Sequence, residues 1–89
     1  MPKMAGYYET CEAIIGCIGG VGGNIKNPIY TPRVKNIWYS KVTHKGVFYQ
    51  TMVIERDGTV KFYKQHHLSN SSPTKVLNIP EISGYMQKL

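Results

Sequence analysis

Between Gly16 and Gly23 the chain reads GCIGGVGG, five of its nine glycines in eight positions, and there the spacing of its apolar residues changes. Before this point Met4, Tyr7, Tyr8, Cys11, Ile14, Ile15 and Ile18 recur at intervals of three and four, the period that gathers side chains on one helix face. After it, segments 34–42, 47–55 and 59–65 are rich in β-branched and aromatic residues with turn formers between them, the pattern of strands. The spacing predicts a helix over residues 5–18. Glycines 19–23 then stop it, because glycine supplies the left-handed cap and is costly inside a helix.

The expected fold class is therefore α+β, with the N-terminal amphipathic helix packed on a three- to four-stranded antiparallel meander. Eighty-nine residues make a single domain, 1–89. Its parts are the helix, a glycine-rich joint at 19–27, strands over 34–65, a polar loop at 69–74 and a C-terminal segment at 75–89. Asn27 to Pro32 should run extended, since Pro28 and Pro32 lack donors and bias their predecessors away from helix. Lys75–Ile79 reads as a short extended piece or fourth strand. Pro80-Glu81-Ile82 reads as the start of a short helix, weakened by Gly84.

The best local signal is Glu55-Arg56-Asp57-Gly58-Thr59, which suits a type I turn followed by a left-handed glycine. That loop sets Glu55 opposite Thr59, Ile54 opposite Val60 and Met52 opposite Phe62. Extended along the strand, the same face takes in Phe48, giving an apolar surface for the helix. A two-residue Asp-Gly loop would instead pair Ile54 with Lys61 and mix charge into the core.

Charge is unevenly spread. Residues 1–25 carry Lys3 against Glu9 and Glu12, net −1, whereas residues 26–89 carry ten Lys or Arg against Glu55, Asp57 and Glu81, net +7. Such a field attracts polyanions, although a basic surface also simply keeps a protein soluble. A core this thin makes self-association a further expectation.

Several chemistries fail on spacing. Gly20-Val21-Gly22 would need a glycine at position 25, which is Ile25, no Gly-Lys-Ser/Thr follows, and the helix precedes the loop rather than following it. Ile14-Ile15-Gly16-Cys17 matches a lipoprotein box only superficially, because Glu9, Thr10 and Glu12 interrupt the apolar run that a signal needs. Ala13–Ile25 is uncharged but thirteen residues long and rich in glycine, short of the roughly 20 apolar residues of a membrane span. Cys11 and Cys17 fall on different helix faces and read as reduced thiols, which places the expected setting in the cytoplasm. His44, His66 and His67 lack chelating spacing with any cysteine, and Glu9 and Glu12 read as solvated helix surface. Asn70-Ser71-Ser72 is a chance glycosylation match in a polar loop. Neither metal, cofactor nor catalytic residue is expected.

Function is sought instead on the sheet. The face opposite Phe48, Met52 and Ile54 displays Tyr49, Thr51, Val53, Lys61 and Tyr63 if alternation is regular. With Trp38 in the core, the first strand adds Lys35, Tyr39 and Lys41 to that face. Tyrosines interleaved with lysines are what a sheet uses to stack bases and neutralise phosphates of RNA or single strands, and also what an ordinary wet sheet face carries. The leading expectation is a non-enzymatic nucleic-acid-binding module using Lys35, Tyr39, Lys41, Tyr49, Lys61 and Tyr63. The rival is a small interaction protein, such as a mobile-element regulator or accessory subunit. It would inhibit or sequester a protein partner, or hold an anionic small ligand as a homo-oligomer. Gly19, Gly20, Gly22, Gly23 and Lys26 form a candidate contact loop, since a bare backbone permits close approach.

Overall fold

The structure, a computed structural model, describes residues 6–65 and 72–89. In chain order it comprises α1 (Tyr7–Ile18), β1 (Val21–Gly23), β2 (Ile29–Thr31), β3 (Asn36–His44), β4 (Val47–Ile54), β5 (Thr59–Tyr63), β6 (Lys75–Asn78) and α2 (Glu81–Met86). The strands form one open six-stranded antiparallel sheet in the order β1-β3-β4-β5-β6, with β2 also paired to β3. The α+β class with an N-terminal helix is as expected. The expected three or four strands undercount it, because β1 and β2 share the free edge of β3, β1 alongside residues 42–44 and β2 alongside residues 36–38.

The added strands come from segments that are poor or ambiguous strand signals. Val21–Gly23 is two-thirds glycine, and Ile29–Thr31 lies between two prolines. Pairing with β3 satisfies their backbone groups and overrides propensity. Gly23 is the position where glycine is required: its φ is +97°, and a Cβ there would collide with the Lys41 carbonyl. That carbonyl also accepts from the Asn24 N–H at 3.2 Å.

Helix α1 begins after Gly6, a left-handed residue, with the Thr10 hydroxyl and N–H both donating to the Gly6 carbonyl. It ends where the glycines demand, the Gly19 N–H donating to the Ile15 carbonyl at 3.0 Å. Met4 and Ala5, expected in the helix, lie outside the described residues, as do positions 69–71 of the polar loop. One face of α1 buries Tyr7, Cys11, Ile14 and Ile18. These pack with Ile37, Met52, Ile54, Val60 and Phe62 of the sheet and with Ile82 and Met86 of α2. Both helices therefore cover the same face.

The β4–β5 hairpin adopts the expected register: Ile54 pairs with Val60 and Met52 with Phe62. The Gly58 N–H donates to the Glu55 carbonyl, Gly58 has φ +95°, and the Glu55 N–H donates to the Thr59 carbonyl. Gly58 is also pressed against Ile79, whose N–H donates to its carbonyl at 2.9 Å.

Regular alternation along β4 does not hold. Ile37 and Tyr39 of β3 face the helices, and so do Val42 and His44, an inward set that changes parity between residues 39 and 42. Lys41 lies at the change with φ +57°. On β4 the inward set shifts in step from Met52 to Tyr49. Phe48, expected in the core, is accordingly 53% exposed, and Tyr49 is 4% exposed.

Candidate ligand cleft beside the first helix

The six residues expected to form a nucleic-acid face do not share one. Tyr39 is 2% exposed and belongs to the core, because its partner Met52 points at the helices and cross-strand partners share a face. Trp38 takes the outer side instead, reversing the expected assignment of the two residues. Tyr49 packs in the core on Phe62, ring centroids 4.9 Å apart, with the Lys64 ammonium over its ring. Tyr63 is on the outer face but buried. Lys61 is on the outer face too, ion-paired with Glu55 at 2.9 Å. Lys41 is exposed at the kink. Lys35, left-handed in the β2–β3 turn, borders a shallow polar basin with Arg56, Asp57, Ser83 and Gln87. No stacking platform of three open tyrosine rings results.

The contact loop is also divided. Gly19 caps α1, Gly22 and Gly23 are strand, and Gly20 joins them. Lys26 is different: with Ile25 and Pro28 it forms one wall of a cleft of about 600 Å³. The facing wall is a single stripe of α1, namely Tyr8, Cys11, Glu12, Ile15 and Gly16, residues that three- and four-residue spacing places side by side. Gly16 matters to the shape, because a Cβ there would meet nothing within 4 Å. Tyr39 of β3 also lines the cleft.

The interior end of the cleft is polar in an apolar setting. Cys11 lies beside the hydroxyls of both Tyr7 and Tyr39, and both phenols are pushed far above the ordinary tyrosine range, first by burial and then by the Cys11 thiol. They stay protonated at any physiological pH, so they can donate or accept a hydrogen bond but cannot serve as bases. The Tyr39 hydroxyl is buried, and the partner beside it is the weakly hydrogen-bonding Cys11 thiol. Glu12 and Lys26 stand at the rim. Among the described residues, no three His, Cys, Asp or Glu side chains gather as metal ligands, and no helix is long and apolar enough to cross a membrane.

Sequence spacing missed this cleft, although a signal was present. Six of the periodic apolar positions lie on α1 and make a stripe wider than one contact, and its outer members, Tyr8 and Ile15, face the cleft rather than the sheet. A glycine at position 16, within the helix, was the second sign. Comparison of the chain with protein-family models, with curated proteins and with solved structures finds no match.

Proposed function

We propose that the chain is a non-enzymatic binding module whose cleft between α1 and residues 25–28 takes a small ligand with an apolar body and an anionic end. The Tyr39 side chain carries this reading: it lines the cleft, and its buried hydroxyl has the Cys11 thiol, a weak hydrogen-bond partner, beside it. A buried hydroxyl left wholly unpaired costs about 1–3 kcal/mol; a weak thiol partner offsets part of that, and a polar atom of a ligand relieves the rest. Ile15, Ile25 and Pro28 supply apolar contact around it. The cleft volume falls within the roughly 300–1,000 Å³ of small-molecule sites. At the rim Lys26 stands with Glu12, so the two side chains there largely balance and it is the formal charge of +6 over the whole chain that favours a negative end, on the Lys26 side.

Anilinonaphthalene sulfonate has this chemistry and serves as the probe. Its fluorescence should rise saturably with native protein, and Gly16→Phe, which fills the cleft from an open helical position, should abolish the rise while the far-UV spectrum and melting transition persist. Saturable binding that Gly16→Phe leaves intact overturns the cleft as the site. The same basic charge supports capture of a polyanion, but burial of Tyr39 and Tyr49 leaves that reading without rings on which bases stack. A single-stranded oligonucleotide whose affinity falls steeply with salt, together with no probe binding, would favour it.

A further inference from the structure

A histidine and a lysine meet where the end of β3 passes the start of β6. His44, the last residue of β3, is 1% exposed. Its ring stacks on Phe62 of β5 with centroids 5.0 Å apart, and Lys75, the first residue of β6, donates from Nζ to Nδ1 at 3.0 Å. The same ammonium lies 5.8 Å from the centre of the Phe62 ring. Lysine has donors and no acceptor, so this bond requires an imidazole without a proton on Nδ1. Among the described residues, the charged groups acting on the ring are Lys75 and Lys45 of the β3–β4 turn, both cations, while α1 contributes the Ile18 carbonyl. Val21 and Val47, paired with His44 on either side in the sheet, bring no charge.

We infer that His44 and Lys75 form a latch that acid releases, freeing the first residues of β6 while the rest of the fold holds. A proton on Nδ1 removes the acceptor and sets two cations against each other in an apolar pocket, where water screens them poorly. His44 is held by the sheet and by Phe62, whereas Lys75 is half-buried on an edge strand with a flexible stem, so Lys75 is the partner that yields. The Ile18 carbonyl, at the negative end of the α1 dipole, steadies the charged ring where it is. Around Lys75 the strand is tied down by the Thr74 N–H donating to the Phe62 carbonyl at 2.7 Å and by the Lys64 N–H donating to Thr74 Oγ1 at 3.4 Å. The far end is anchored separately: the Ile79 N–H donates to the Gly58 carbonyl at 2.9 Å, and Ile82 and Met86 of α2 sit in the core. The opening is therefore local, of the kind that an edge strand undergoes well before the core unfolds. The latch shares no residue with the cleft.

An NMR titration from about pH 7.5 to about pH 4.5, the range in which a histidine changes charge, tests the latch. The His44 ring signals and the Thr74 and Lys64 amides should move with one midpoint, below 6.5. Across that midpoint exchange of the Thr74 amide, corrected for its intrinsic rate, should speed up about tenfold or more, while the Ile79 amide keeps its protection. Lys75→Met retains the stem and removes the cation; the His44 midpoint should rise, and Thr74 should stay protected throughout. Thr74 protection that does not follow the His44 titration, a His44 midpoint that Lys75→Met leaves in place, or loss of Thr74 and Ile79 protection together would overturn the inference.

Discussion

Removing a single oxygen from the core should make this protein more stable. Tyr39→Phe keeps the ring in its place between α1 and the sheet and deletes a hydroxyl that is buried with only a weak thiol partner, Cys11, beside it. In the unfolded chain that hydroxyl is hydrated, and in the folded chain it is not, a deficit of about 1–3 kcal/mol. The neighbouring Cys11 thiol, a weak polar partner that acts on the same phenol, offsets part of it, so a gain of about 1 kcal/mol is the working value. In a domain of this size that moves the melting temperature up by about 4–8 °C. Thermal melts followed by circular dichroism, with urea titrations to confirm that the slope is unchanged, measure it. The same variant should bind the naphthalene probe less tightly, the usual exchange of stability for function at a site. Destabilisation by more than about 1 kcal/mol would mean that the hydroxyl is satisfied in the folded protein, and the reasoning behind the cleft would fall with it.

Three further outcomes follow from the same geometry. Gly16→Ala places a methyl in open space at a helical position and should stabilise by about 0.5–1 kcal/mol, read from urea midpoints. Gly23→Ala puts a Cβ against the Lys41 carbonyl at a φ of +97°; it should cost more than about 2 kcal/mol and detach β1, seen as lost amide-exchange protection at residues 42–44. His44 is buried, stacked on Phe62 at 5.0 Å, with Lys75 Nζ donating to its Nδ1 at 3.0 Å. Burial chiefly, then the charge of Lys75, holds its pKa below the usual 6.5, the Ile18 carbonyl opposing and Lys45 assisting. The folded state therefore binds fewer protons than the unfolded one. The contribution of His44 is complete above pH 6.5 and is lost as pH falls below it, so urea stability should drop toward about pH 5 and His44→Leu should flatten that slope. A stability that rises between neutrality and that pH would contradict the assignment.

Legibility from sequence followed the locality of the signal. The helix, its glycine stop and the Glu55–Thr59 hairpin depend on contacts a few residues apart, and each is found where the spacing puts it. Strand β1 was not legible, because nothing within GVGG asks for a strand; β2 was legible only as an extended edge segment, its Ile-Tyr-Thr favouring strand but its flanking prolines leaving the partner open, and the free edge of β3 supplies that partner. The sheet faces were misassigned for a definable reason. Lys45-Gly46 forms a two-residue turn with φ of +51° and +79°, the type I′ hairpin that pairs His44 with Val47 and hence Tyr39 with Met52. Gly46 was the available clue. Lys41 in a left-handed conformation was not foreseeable, since lysine adopts it rarely, and it stands where the inward set changes parity, beyond which Tyr49 is buried and Phe48 exposed.

The most direct test of the central claim is a two-dimensional amide spectrum of the protein titrated with anilinonaphthalene sulfonate. A ligand seated between α1 and residues 25–28 shifts Tyr8, Glu12, Ile15, Gly16, Ile25 and Lys26 together along one saturating curve, and leaves Phe48 and Val76 in place. Shifts centred on Phe48, Val76 and the outer strands, or spread without saturation over the basic surface, would contradict it.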